Sequence, residues 1–173
     1  MLSKNRFALK EGAAVCGRLA RGEIILLLRK GGVRETRDGF RTERREFFLF
    51  PTRFHAEGAP PPEAVDLELY AEVVDDVHVE DLERLRRLDG LHALAWEDVE
   101  KRFRYGRSPG LHALTLRAHR LARPPRVENA RAYDGCVSWV ELDRDWDVET
   151  AGPALGDAAF EERRGVAKAA LDG

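Results

Sequence analysis

An α+β fold is what this sequence predicts: one domain of about six mostly antiparallel strands in a curled or partly closed sheet, with about three short helices. Three observations predict it. Apolar runs and two-residue alternations outnumber helical periodicities along the 173 residues. The strand-like stretches are short and punctuated by Gly and Pro. Finally, the repeated βα units with glycine fingerprints that a doubly wound sheet requires are missing from the sequence.

The elements follow in order. Leu9–Leu19 carries a weak apolar face and is closed by Gly22, which predicts a short helix. Ile24-Ile25-Leu26-Leu27-Leu28 is a continuous apolar run, the pattern of a central strand covered on both faces, and it ends in Arg29-Lys30-Gly31-Gly32. Arg34–Arg45 is polar and glycine-punctuated, a hairpin loop. Glu46–Phe50 is an aromatic strand stopped by Pro51. After the stiff Gly58–Pro62 linker, Val65 to Val73 alternates with Asp66, Glu68, Tyr70 and Glu72, which predicts a strand with one acidic, wet face. Glu80–Leu88 is a short helix ended by Asp89-Gly90, and Trp96, Val99 and Phe103 mark another. Leu111–Leu121 and Cys136–Leu142 are strands. From there the chain turns acidic and small-residue-rich, so 1–142 forms the domain and 143–173 an acidic tail, with a marginal helix over Asp157–Leu171 or none.

The charge distribution speaks to function. The net charge is −2, yet Met1–Phe54 holds 13 Lys+Arg against 6 Asp+Glu and His55–Glu100 holds 3 against 14. Lys101–Gly135 returns to 9 against 2, and Cys136–Gly173 to 4 against 9. Arginine outnumbers lysine 24 to 5, and its flat five-donor fork suits phosphates and guanine edges. Two basic blocks folded onto one face would attract a polyanion; the same blocks paired with the acidic ones would form only a solvated ionic network. No apolar run reaches the ~20 residues of a membrane-spanning helix, and the first residues lack the apolar stretch of a secretory signal. Two cysteines, Cys16 and Cys136, without close spacing exclude a zinc ribbon or disulfide framework, so a cytoplasmic protein with reduced thiols is expected.

Catalytic templates fail in turn. There is no phosphate-binding Gly-x-x-x-x-Gly-Lys-Ser/Thr loop, no Gly-x-Ser-x-Gly elbow and no Asp/Glu-x-Lys tripeptide. His112 and His119 have no carboxylate or cysteine at a supporting spacing, so no metal or other cofactor is expected. The expected nucleic-acid contacts are Arg29, Lys30, Arg34, Arg45 and Arg117, with Trp139 as a flat surface for bases. Lys30 is the sharpest of these, because glycines beside it let backbone N–H groups approach an anion; a strand-end cation reaching to water is the plain alternative. Glu11, Glu46, His55 and Ser138 form a possible polar site. Glu46 beside aromatics needs a partner, and pairing for structure outweighs catalysis.

Four segments carry a family resemblance: Ala8-Leu-Lys-Glu11, Ile25–Val33, Arg45–Thr52 and Tyr133–Leu142. In this order they resemble the bacterial family called domain of unknown function 1802, over 135 of 173 residues. The family has Trp where this chain has Gly12, and Gln after the histidine where this chain has Ala56. Some members occur with an Mrr-type restriction endonuclease domain, so the resemblance implies a role near DNA restriction, with such a subunit as a partner. Together these readings predict a DNA- or RNA-binding specificity module rather than an enzyme. A metal-dependent nuclease using Glu11, Glu46 and His55, or a protein-interaction module docking through the acidic His55–Glu100 block, are the alternatives.

Overall fold

A computed structural model describes residues 1–30, 34–37, 40–52, 62–105, 109–129, 133 and 138–172, with backbone only for 34–37 and 40–43. It is an α+β protein with eleven strands and four helices among the described residues. β1 (Lys4–Gly12) leads into α1 (Ala13–Ala20), then β2 (Leu26–Arg29), β3 (Arg34–Arg37), β4 (Phe40–Glu43), β5 (Glu46–Thr52), β6 (Ala64–Asp66) and β7 (Leu69–Val79). Next come α2 (Leu82–Arg86), α3 (Trp96–Arg104), β8 (Leu111–Leu121), β9 (Arg126–Glu128), β10 (Trp139–Asp147), β11 (Thr150–Pro153) and α4 (Asp157–Asp172). Seven strands form the main sheet in the order β10-β1-β5-β7-β8-β11, with β2 also paired to β8. The path ends at β10 and β11, so this sheet is not closed. β1 and β5 run parallel; the other pairings with a defined register are antiparallel.

The chain divides into two compact units. Unit 1 comprises Met1–Arg21, Glu46–Glu72 and Ala118–Ala154; unit 2 comprises Gly22–Arg45, Val73–Arg117 and Leu155–Gly173. Each has its own core. In unit 1 Ala8, Phe48, Phe50, Tyr70, Val127, Tyr133 and Leu142 pack together. In unit 2 Leu26, Leu28, Val79, Leu85, Leu88, Val99, Phe103 and Leu111 do so.

Several expectations change. The helix predicted over Leu9–Leu19 begins only at Ala13; Lys4–Gly12 is a strand flanked by β10 and β5, and this two-sided pairing overrides the local helical pattern. β5 runs through Pro51 to Thr52. Among the described residues its register with β7 ends at Phe48, and a position outside that ladder tolerates a residue without an N–H. The strand read over Val65–Val73 is two strands, since β6 leaves to pair with β9. Tyr70, expected on the wet face, is fully buried and meets Phe48 edge-to-face at 5.1 Å. Cys136 lies outside the described residues, and the last predicted strand starts at Trp139 and continues to Asp147. α4 is a sixteen-residue helix that buries Phe160, Ala167 and Leu171; its apolar positions pack, which a marginal helix would not require.

Candidate functional site

In unit 1 the polar side chains turn inward. Asn5 donates through Nδ2 to the Glu46 carbonyl (2.8 Å) and to the Tyr70 hydroxyl (2.9 Å). Tyr70 in turn donates to Glu46 Oε2 (3.1 Å), which also accepts the Leu2 N–H at 2.6 Å. Burial pushes the Tyr70 phenol up, and the charges of Glu46 and Glu72 push the same way, so the hydroxyl stays protonated as a donor. Glu72 stands opposite Glu46 across the β5–β7 pair, and its Oε1 lies 2.8 Å from His119 Nε2. The partners that Glu46 needs are therefore the Tyr70 hydroxyl, the Leu2 N–H and the Met1 ammonium, 3.5 Å from Oε1.

Glu11 is buried, with its carboxylate accepting the Gly12 N–H at 3.0 Å and its carbonyl accepting Thr52 Oγ1 at 3.1 Å. It pairs with Pro51 in the parallel β1–β5 register, five positions beyond Glu46. At about 3.3 Å per residue this offsets the two positions by roughly 16 Å along the strands, too far for their side chains to share one ion. Ser138 is half-buried and accepts the Lys10 N–H at its carbonyl (2.9 Å). Trp139 is 7% exposed, edge-on to Phe47 at 5.0 Å, so base stacking on it would require its strand to open. His55 lies outside the described residues.

In unit 2 the cations gather near the ends of β2 and α3. Lys30 Nζ donates to the Phe103 carbonyl (3.0 Å) and the Gly110 carbonyl (3.2 Å). Arg102 Nη1 reaches back to the Leu28 carbonyl at 3.4 Å. The strand end thus caps the last turn of the helix, and the helix grips the strand. Val99 and Phe103, one turn apart, bury the inner face of α3. That leaves Lys101 and Arg104, one turn apart, exposed, followed by Tyr105 at 74% exposure. Arg104 meets Glu100 at 3.2 Å in a surface pair, a contact of little net strength. Arg29 is half-buried opposite His112, Arg34 lies opposite Glu43 in the β3–β4 register, and Arg45 is exposed. Arg117 is engaged within the unit: its guanidinium pairs with Asp157 and lies 4.5 Å over the Phe160 ring.

The reading from sequence alone passed over Lys101, Arg104 and Tyr105. Its signal was present, since Lys101-Arg-Phe-Arg-Tyr-Gly-Arg107 interleaves cations with aromatics, a pattern of nucleic-acid-binding surfaces. It also passed over the carboxylate–histidine contacts, because Asp76 and Glu72 approach His112 and His119 from another strand.

The sequence profile described as a domain of unknown function, DUF1802, matches residues 8–165. The chain belongs to the DUF1802 family. In this DUF1802 chain the match takes in the rest of β10, β11 and about half of α4 beyond the four segments that first suggested it. No functionally curated protein matches it significantly in sequence. Among solved structures it is similar to the ASCH protein from Zymomonas mobilis, with a TM-score of 0.50 at 14% identity over 80% of this chain and 87% of that one. A serine-to-alanine mutant of that protein gives 0.51, 14%, 80% and 88%, and a tyrosine-to-phenylalanine mutant 0.51, 15%, 80% and 90%. At these identities the likeness is one of fold. Among the described residues no helix is long and apolar enough to cross a membrane.

Proposed function

We propose that this protein is a nucleic-acid-binding module, serving as a recognition component of bacterial restriction or defence alongside a separate nuclease subunit. The observation that carries the reading is Tyr105, an open aromatic ring flanked by the exposed cations Lys101 and Arg104. Bases stack on such a ring while the cations meet the phosphates, and stacking contributes about 1–3 kcal/mol per base. Arg45, and Arg29 at the end of β2, extend the set of phosphate contacts in the same unit. Lys30 holds the helix end in place, and Arg117 braces α4, so both act through the scaffold. Cations in the last turn of a helix also complement its dipole, but an exposed tyrosine gains nothing from that.

Fluorescence anisotropy with labelled single-stranded and duplex DNA and RNA tests the reading. Affinity is expected to fall steeply between low and physiological salt as counterions are released. An undetectable or salt-insensitive signal at low salt rejects it. The link to restriction is tested by co-purification with an Mrr-type endonuclease subunit from the same genome; a stable complex is the expected result.

A further inference from the structure

A second constellation in unit 2 is independent of that reading. His112 on β8 and His78 on β7 lie with ring centroids 4.7 Å apart and planes tilted by 33°. His112 Nδ1 is 2.6 Å from Asp76 Oδ1, and His78 Nδ1 is 3.7 Å from Glu80 Oε1. Each imidazole thus turns one nitrogen toward a carboxylate and keeps Nε2 for something else. A carboxylate at the far nitrogen is the usual outer partner of a metal-bound histidine, fixing its tautomer and orientation.

The separation fits the same chemistry. Two imidazoles bound side by side to one ion at about 2.0–2.1 Å place their ring centres about 5 Å apart. Gly110 supplies a third observation. With φ +115°, it has no Cβ where one would stand 2.6 Å from His78 Nε2 and 3.1 Å from the Val79 carbonyl oxygen. Only a residue without a Cβ fits there, so glycine lets the His78 ring sit directly against the backbone before β8 and fixes it beside His112.

We infer that His78 and His112 form a two-imidazole site for a borderline divalent transition-metal ion, oriented by Asp76 and Glu80 and completed by water. Among the described residues no three His, Cys, Asp or Glu side chains converge as a metal-binding group. The site is accordingly open and of moderate affinity, and it favours Cu2+ over Ni2+ and Zn2+.

Calorimetric titration of the full chain with Cu2+, Ni2+ and Zn2+ in a non-coordinating buffer near neutral pH tests it. One Cu2+ is expected to bind, with frozen-solution electron paramagnetic resonance showing two nitrogen ligands. His112→Gln and His78→Gln are each expected to abolish the two-nitrogen spectrum, and Asp76→Asn to weaken binding by about 10–100-fold. His78 is 41% exposed at its side chain, so its substitution keeps the fold, which circular dichroism verifies. Absence of Cu2+ binding to the wild type, or a two-nitrogen spectrum that both histidine variants retain, overturns the inference.

Discussion

The two units spend their polar chemistry in opposite places. In unit 1 the carboxylate of Glu46, the phenol of Tyr70 and the amide of Asn5 satisfy one another in or beside a packed core. Two of its surface arginines are held as well, Arg6 by Asp145 and Arg126 by Asp66. In unit 2 Lys30 and Arg102 are consumed in tying a strand end to a helix end, and that tie leaves Lys101, Arg104 and Tyr105 facing water. The difference teaches that abundance of arginine does not locate a binding surface. The proposed surface is sought instead among the polar groups left exposed after the fold has taken its share.

The largest expected effect tests the interior half of that contrast. Tyr70→Ala removes a fully buried ring and should destabilise the protein by about 3–5 kcal/mol. Tyr70→Phe keeps the ring but leaves Asn5 and Glu46 each short of a partner, at about 1–3 kcal/mol. Urea unfolding measures both. Lys101→Ala, on the exposed side of unit 2, should stay within about 0.5 kcal/mol of wild type. A neutral Tyr70→Phe would show that the network in unit 1 is incidental.

Next comes a reciprocal pair of substitutions. Tyr105→Ala should weaken single-strand binding by about 1–3 kcal/mol while leaving the melting temperature unchanged. Trp139→Leu should do the reverse, because that ring is packed on Phe47. If both variants bind like wild type although wild-type binding is salt-dependent, nucleic acid binds elsewhere on the surface. If the wild type does not bind at all, the proposed function itself falls.

How much of this was legible in the sequence depends on whether the deciding contact was local. Leu111–Leu121 could be read directly, since a long apolar strand bounded by Gly and Pro has few alternatives. The α+β class and the family were legible for a similar reason, resting on many short segments in order. Lys4–Gly12 was misread because its neighbours β5 and β10 come from distant parts of the chain. Tyr70 carries the polar hydroxyl of a wet-face residue, and only Phe48, Asn5 and Glu46 reveal that it is buried. The histidine–carboxylate contacts failed for the same cause: a spacing search along the chain cannot find ligands that meet across strands. Tyr105 was a different failure. The interleaved pattern was local and readable, but which aromatic faced water was decided by Phe103 and Val99 entering the core.

A smaller effect compares the two ion pairs whose acids are both held below the usual carboxylate range. In unit 2 Arg164 donates to both Asp75 oxygens, at 2.7 and 2.9 Å, and these hydrogen bonds are the main cause of the Asp75 depression. A depressed folded-state value means the stabilisation is complete above the unfolded carboxyl value, about 3.9, and is lost as pH falls from there through the lower folded-state value. Asp75→Asn should therefore lower the melting temperature by a constant amount from about pH 5 to 8. The gap should close in more acidic solution, measured by thermal scans of both proteins. A gap that widens on acidification contradicts the assignment.

The smallest effect belongs to the matching pair in unit 1. Arg6 holds Asp145 through two hydrogen bonds, at 2.8 and 3.1 Å, and lowers its carboxyl in the same direction. The geometry resembles that of Asp75 and Arg164, but the side chains are 40% and 51% exposed rather than 25% and 18%. Water and salt screen the exposed pair, and Glu141, 3.5 Å from Arg6, remains as a partner when Asp145 is lost. Asp145→Asn should leave the melting temperature within error at physiological salt, with a small decrease emerging only as ionic strength is lowered. A loss equal to that of Asp75→Asn would mean that hydrogen-bond geometry, rather than exposure, sets the worth of a pair here. Unit 1 would then be held at its surface as firmly as within.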